Sequence, residues 1–411
     1  MPARDHRPPH YRSSKISLLV RFYGWGDCGM SYQQLSEVRK TLRVDWYRCP
    51  IEHTKLRELS KRSDLQGWFQ AGGHVALYLF TGIVSYMLWS HQNWFGFILA
   101  LFLHGTVTSF FAGIAPHELG HATVFRTKQL NKIFLYLTSL LSWFDTFDYN
   151  TSHTYHHRYT LHPDGDREVL LPLHPNVGKT FLLQMFTINL ATRRGRTLGN
   201  GFFQKLVQTF KAARGKAHSN EWIHALHIDQ PDQRLNSVWW ARTLLVFHGS
   251  VLITSIATGL WVLPILISLA PFIANWAAYF VSMPQHCGLM DKVPDFRKSV
   301  RSMHLNPVLE FLYWRMNWHA EHHMYAGVPC YNLNKLYKQI AHDMPEPRTL
   351  IGAWREMLGI WRRQETDPSY QFDTPLPVGA GRIRTDVPDE LESSIGELAP
   401  DGLRYKEPYP D

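Results

Sequence analysis

Three histidines stand at i, i+3 and i+4 in Asn317-Trp318-His319-Ala320-Glu321-His322-His323-Met324. On a helix, at ~100° per residue, their rings fall within roughly 100° of one another, on one face. Neutral imidazoles converging in this way suit iron, zinc or copper. Ser152-His153-Thr154-Tyr155-His156-His157 repeats the spacing, and Pro116-His117-Glu118-Leu119-Gly120-His121 sets two more histidines at i and i+4. His286, in Gln285-His286-Cys287-Gly288, is the ninth candidate. A tetrahedral zinc needs no more than four ligands, whereas nine nitrogens can serve two ions of higher coordination and leave positions for water or oxygen. Glu118, Asp164, Asp166 and Glu321 are the carboxylates placed to orient such rings from behind, and each is equally readable as a solvated surface charge.

The elements that must position these residues are written in the charge pattern. No Asp, Glu, Lys or Arg occurs between Leu65 and His117, or between Thr243 and Met290. A membrane span takes ~20 largely apolar residues, so each run is long enough for two. The expected fold is an all-α integral membrane protein with four transmembrane helices, near 71–90, 94–115, 242–261 and 264–284. They pair into two hairpins beneath a cytosolic helical cap that carries the histidines. His91-Gln92-Asn93, flanked by Trp89 and Trp94, makes the first turn, and Pro271 should kink the fourth span. Ile133–Phe144 is too short to cross and should lie in the interface.

Arg57, Lys61 and Arg62 precede the first hairpin and Arg126 and Lys128 follow it, which places the open ends, and hence the histidines, on the cytosolic side. Ile16–Val20 is too short for the apolar core of a secretory signal. The segments then read as a cytosolic 1–63, a membrane domain 64–345 with a cytosolic insert at 145–240, a helical 346–363, and a tail from 364 to 411 too polar and Pro/Gly-rich to fold alone. The formal charge of +9 follows the cytosolic bias, because no basic stripe interleaved with aromatics marks a nucleic-acid surface. Four cysteines without CxxC spacing give neither a disulfide framework nor a zinc ribbon.

The boxes HxxxH, HxxHH and HxxHH, with the phrases HHRYTLHPDGDREV and NWHAEHHMYAGVP, resemble the integral-membrane fatty acid desaturase superfamily, which also holds hydroxylases and carotenoid-modifying oxygenases. The resemblance implies two irons held by His117, His121, His153, His156, His157, His319, His322 and His323, with His286 at a further ligand position. It implies O₂ as co-substrate, desaturation of an apolar, membrane-dissolved chain with an acyl lipid as the default, and an active site on the cytosolic face of the endoplasmic reticulum or bacterial inner membrane. Hydroxylation of a lipid, isoprenoid or polyketide-type chain is the alternative, since both begin with the same hydrogen abstraction. No HPGG haem motif is present, so electrons are expected from a separate cytochrome b5- or ferredoxin-type donor and its reductase. Arg193, Arg194, Arg196, Lys205 and Lys211, in an acid-free stretch, are candidates for meeting that donor or an anionic membrane surface; Phe202, Phe203, Leu206, Val207 and Phe210 give the stretch an amphipathic helical spacing.

Two readings from other classes compete. His117-Glu118-Leu119-Gly120-His121 is literally HExxH, the zinc metalloprotease motif with Glu as general base, but it leaves two HxxHH boxes unused. A metal transporter needs ligands near the bilayer midplane, where only His104 and His248 fall. For those two, a ring bonded to a neighbouring carbonyl is the expectation.

Overall fold

The computed structural model describes residues 32–192, 201–216 and 220–381. Among them the chain is almost entirely helical; its one sheet is a pair of two-residue parallel strands, Met303 opposite Arg348 and His304 opposite Thr349. Three helices are long and apolar enough to cross a membrane: Asp64–Ser90, Trp94–Gly120 and Pro231–Thr258. The first begins seven residues before its expected start, because Ser63 caps it and Asp64 accepts from the Thr127 N–H and hydroxyl, both at 2.8 Å. It passes through a π turn at Trp68–Gly72 and ends at the expected His91-Gln92-Asn93 turn, where the Asn93 side chain caps the next helix through the Gly96 N–H.

The outer faces of the first and third long helices are apolar and exposed, with Phe80, Ile83, Val246 and Ile253 among the most open. A water-soluble protein rarely shows apolar patches this extensive, whereas a bilayer covers them. The second long helix is the inner one, packing Phe97, Ala100, Val107, Phe110 and Phe111 against its neighbours. Gly113, at φ 87°, breaks it after Ser109 and lets Ile114–Gly120 restart at a new angle. Val262 and Leu266 pack with Leu88, Trp89, Phe97 and Leu101, so the turn after Thr258 and the turn after Ser90 lie at the same end.

The fourth expected span departs from a kinked helix. It is broken into Leu263–Ile267, a 3₁₀ turn at Ala270–Phe272 and Trp276–Ser282, with Ala270–Ala274 buried. Pro264 and Pro271 withhold two helical donors, and the freed backbone is satisfied from outside. The Asn189 N–H donates to the Phe272 carbonyl at 2.8 Å, the Ala274 N–H to the Thr187 carbonyl at 2.8 Å, and the Thr106 hydroxyl to the Ala274 carbonyl at 3.1 Å. Irregular backbone in so apolar a segment is tolerable because protein surrounds it. Close approach is possible because residue 105 is glycine: a Cβ there would sit 2.3 Å from the Ile273 carbonyl oxygen.

The tail, expected to be unfolded from Gln364, is folded as far as Gly381. The Phe372 N–H donates to the Gly288 carbonyl at 3.0 Å, Gln371 reaches Asp291 at 2.7 Å, Lys298 pairs with Asp373, and the Arg297 guanidinium donates to the Gly381 carbonyl at 2.8 Å. Composition showed that this strip cannot make its own core; it did not show that the 286–300 loop would receive it.

Candidate metal centre

Each histidine box is set by its own local structure. Asp145 caps the helix Thr146–Tyr159, accepting from the Phe147 and Asp148 N–H groups at 3.0 and 3.1 Å, and so fixes the register of His153, His156 and His157. The restart after Gly113 aims His117 and His121 inward. His319, His322 and His323 lie on the short helix His319–Met324, all buried. His286 follows the 3₁₀ turn Met283–Gln285.

All nine rings meet, and they divide into two groups. His117, His121, His153, His157 and His322 offer nitrogens within 4.8 Å of one another, and so do His156, His286, His319 and His323. The two HxxHH boxes are used reciprocally. His153 and His157 (i, i+4) join the first group and His156 the second; His319 and His323 (i, i+4) join the second and His322 the first. The groups adjoin where His157 stacks on His323 at 4.4 Å between ring centres.

The donor atoms fit metal ions. Nε2 of His153 and His157 are 2.9 Å apart, and His319 Nε2 lies 3.2 Å from Nε2 of both His286 and His323. Two imidazole nitrogens bound at right angles to one ion at ~2.1 Å stand about 3 Å apart. The buried Nε2 atoms of His117, His121 and His322 have no hydrogen-bond partner. A buried polar atom left unpaired is costly, and here three of them face one point.

On five rings the opposite nitrogen faces outward to a fixed partner, as ligating imidazoles do, whereas Nδ1 of His319 and His322 has no hydrogen-bond partner. His117 Nδ1 meets Glu118 at 3.0 Å, His156 Nδ1 meets Asp166 at 2.9 Å, and His153 Nδ1 meets Glu168 at 3.3 Å. His286 Nδ1 meets the Ser299 carbonyl at 3.0 Å and His323 Nδ1 the Thr160 hydroxyl at 3.2 Å. Glu118 also lies 3.6 Å from His322 Nδ1, a charge contact too long for a hydrogen bond.

Burial, reinforced by neighbouring rings, pushes His121, His153, His157, His319, His322 and His323 well below the usual imidazole range, and His286 to about 3. These rings are neutral at pH 7, the state a metal requires. His156 goes the other way: burial opposes its charge, but Asp166 outweighs it and raises the ring. Asp166 is held low despite burial, by His156 and by the N–H groups of Leu161 and Glu168. Burial pushes Glu168 and Glu321 up to about 7.

Of the four carboxylates proposed from sequence, Glu118 and Asp166 touch site histidines. Asp164 is exposed at the tip of its turn, and Glu321 bonds Ser302 at 2.5 Å instead of a ring. Glu168, which the sequence reading passed over, meets His153 and receives the Ser152 hydroxyl at 2.6 Å. The usable signal was alternation: Asp166 and Glu168 are two apart in an extended strip and face the same way. His162 is in neither group and bonds the Thr160 carbonyl at 3.0 Å. His104 bonds the Leu266 carbonyl at 2.8 Å, His248 the Leu140 carbonyl at 3.0 Å and His74 the Val107 carbonyl at 3.1 Å, so these three are structural. Arg193, Arg194 and Arg196 lie outside the described residues. Lys205 is half-buried over the Phe144 ring near Asp145 and Asp148, while Lys211 is exposed.

The described residues thus combine a mostly helical chain, three helices long and apolar enough to cross a membrane, and two adjoining histidine groups that could each hold a metal ion. The family model described as fatty acid desaturase matches residues 92–354, and the chain belongs to that family. It is 23% identical over 324 residues to the sn-1 oleoyl-lipid 12-desaturase of a Picosynechococcus species, an alignment covering 72% of this chain and 82% of that protein.

Proposed function

We propose that the protein is a diiron, O₂-dependent desaturase of an acyl chain dissolved in the membrane, supplied with electrons by a separate protein. The observation that carries this reading is the division of nine histidines, eight of them buried, into adjoining groups of five and four, in a chain with three helices long and apolar enough to cross a membrane. Each group leaves room in a six-coordinate ion for an oxygen ligand. The relative's printed name supports an acyl lipid as the substrate class.

Two irons held by these rings would supply activation of O₂ to a level that removes hydrogen from an unactivated methylene. The protein's own contribution is placement. Glu118, Asp166 and Glu168 hold ring orientation and tautomer through His117, His156 and His153. Burial of all nine rings to 8% exposure or less, His121 excepted, keeps bulk water from an oxidant that would otherwise be quenched. Neutral imidazoles leave the ions strongly positive and are harder to oxidise than thiolate. Glu118 lies on the Nδ1 side of His117, away from the Nε2 atoms that gather with the other rings, so it is not placed as the general base of an HExxH protease.

Four membrane segments in two hairpins, with the histidines on the cytosolic face, are supported by the charge bias and by the packing of both turns at one end. The fourth segment of this arrangement is the broken, buried one. The helix Phe202–Ala213 keeps Phe203, Val207 and Phe210 exposed, which favours the membrane-surface reading of the basic stretch around it. Mass spectrometry of lipids from cells with and without the gene tests the reaction. Desaturation removes two hydrogens from an acyl chain; gain of one oxygen instead identifies a hydroxylase.

A further inference from the structure

We propose that Arg297 is a positioning residue for one of the two metal positions: it ties distant segments of the chain to the short helix Phe296–Ser299, and that helix holds His286 and His323 in place. The inference rests on the diiron reading above. Phe296–Ser299 is a single turn capped by Asp295, whose carboxylate accepts from the Arg297 N–H at 2.9 Å, and Phe296, Arg297 and Ser299 are buried. Two of its residues meet the second histidine group. His286 Nδ1 donates to the Ser299 carbonyl at 3.0 Å, and the Phe296 ring centre lies 5.4 Å from that of His323. The first group is held from elsewhere, His117 by Glu118 and His153 by Glu168. A lone helical turn does not hold its shape by itself, because nucleation is unfavourable, so something outside it must fix it.

Arg297 does so from between the two contacts. Its side chain is 1% exposed, and every guanidinium N–H is used. Nε and Nη2 grip Asp295 at 3.0 and 2.8 Å. Nη1 donates to the Asp343 carboxylate at 2.9 Å and to its carbonyl at 3.1 Å, and Nη2 also donates to the Gly381 carbonyl at 2.8 Å. The guanidinium carbon lies 3.8 Å from the centre of the Tyr47 ring. These partners bond one another as well. The Tyr47 hydroxyl and the Gly381 N–H each donate to the Asp343 carboxylate at 2.6 Å, and the Tyr47 N–H donates to the Pro294 carbonyl at 2.8 Å. Residues 47, 295, 343 and 381 thus converge on one buried cation set between two carboxylates. Without the cation those carboxylates repel where water screens them poorly, the segments part, and the turn carrying Phe296 and Ser299 loses its anchor. Lysine, with three donors and no planar fork, cannot reproduce the tie.

The test is anaerobic Fe(II) titration of the full-length protein in detergent. The parent should bind about two ions per chain. Arg297→Gln should weaken one of them about 10- to 100-fold and leave the other as it was. Adding His323→Ala to that variant should abolish only the weakened site, whereas adding His121→Ala should abolish only the strong one. Gly381→Leu, which keeps every charge but drives a side chain into the Tyr47 hydroxyl, should weaken the same site several-fold. Equal weakening of both sites, weakening of neither, or a weakened site that survives His323→Ala overturns the inference. So does failure of both Arg297→Gln and Gly381→Leu to give folded protein, because the tie would then hold the whole domain and not one metal position. A parent that binds fewer than two ions defeats the diiron reading, and this inference with it.

Discussion

At the scale of residues, the account turns on which nitrogen of each histidine faces inward and what holds the other. Glu168→Gln removes the carboxyl group behind His153 Nδ1 and should lower metal affinity about 10- to 100-fold, measured by chelator competition; Asp164→Asn, at an exposed position, should leave it unchanged. Acid should act in the same direction. An unfolded imidazole takes its proton near pH 6.5, whereas buried His286 resists protonation down to about 3. Between those values the unfolded chain binds more protons, so stability present at pH 7 is lost as pH falls below 6.5. Melting temperature and retained metal should therefore drop together from pH 7 to pH 5, and a flat profile would contradict the burial described here.

Eight of the nine ligand candidates were legible as spacing, because i, i+3 or i, i+4 on a helix dictates a shared face; His286 was read from its place at the end of the last apolar run and from the family resemblance. Their division was not. His156 and His157 are about 100° apart on their helix, and so are His322 and His323, which is enough to send neighbours to different groups once the helices cross. Only the packing of one box against the other reveals that swap.

At the scale of elements, the first two long apolar helices and the turn between them were legible from a charge-free run and a polar turn between tryptophans, whereas the break in the fourth segment was not. Hydropathy reports that residues 264–284 are apolar; it does not report that Thr187 and Asn189 supply backbone hydrogen bonds there. The same blindness hid the docking of residues 370–381 on the 286–300 loop. The break makes a prediction at Gly105. Gly105→Ala places a methyl against the Ile273 carbonyl and should cost about 1–3 kcal/mol, read as a lowered melting temperature in detergent. A variant as stable as the parent would mean that the second long helix does not approach the broken segment as described.

At the scale of the whole molecule, exposed Phe80, Ile83, Val246 and Ile253 suit a bilayer, and the proposed orientation rests on the charge bias. Tags at the N-terminus, within residues 193–200 and at the C-terminus should all be accessible from the cytosol without permeabilising internal membranes; a protected tag in 193–200 would contradict the placement of the insert. The central claim is that the two histidine groups are two iron positions in one chain. It is tested most directly by the metal content of protein purified in detergent from iron-replete cells. The account predicts about two irons per chain, falling when His157 or His323 is changed to Ala. One zinc per chain with no iron would contradict it.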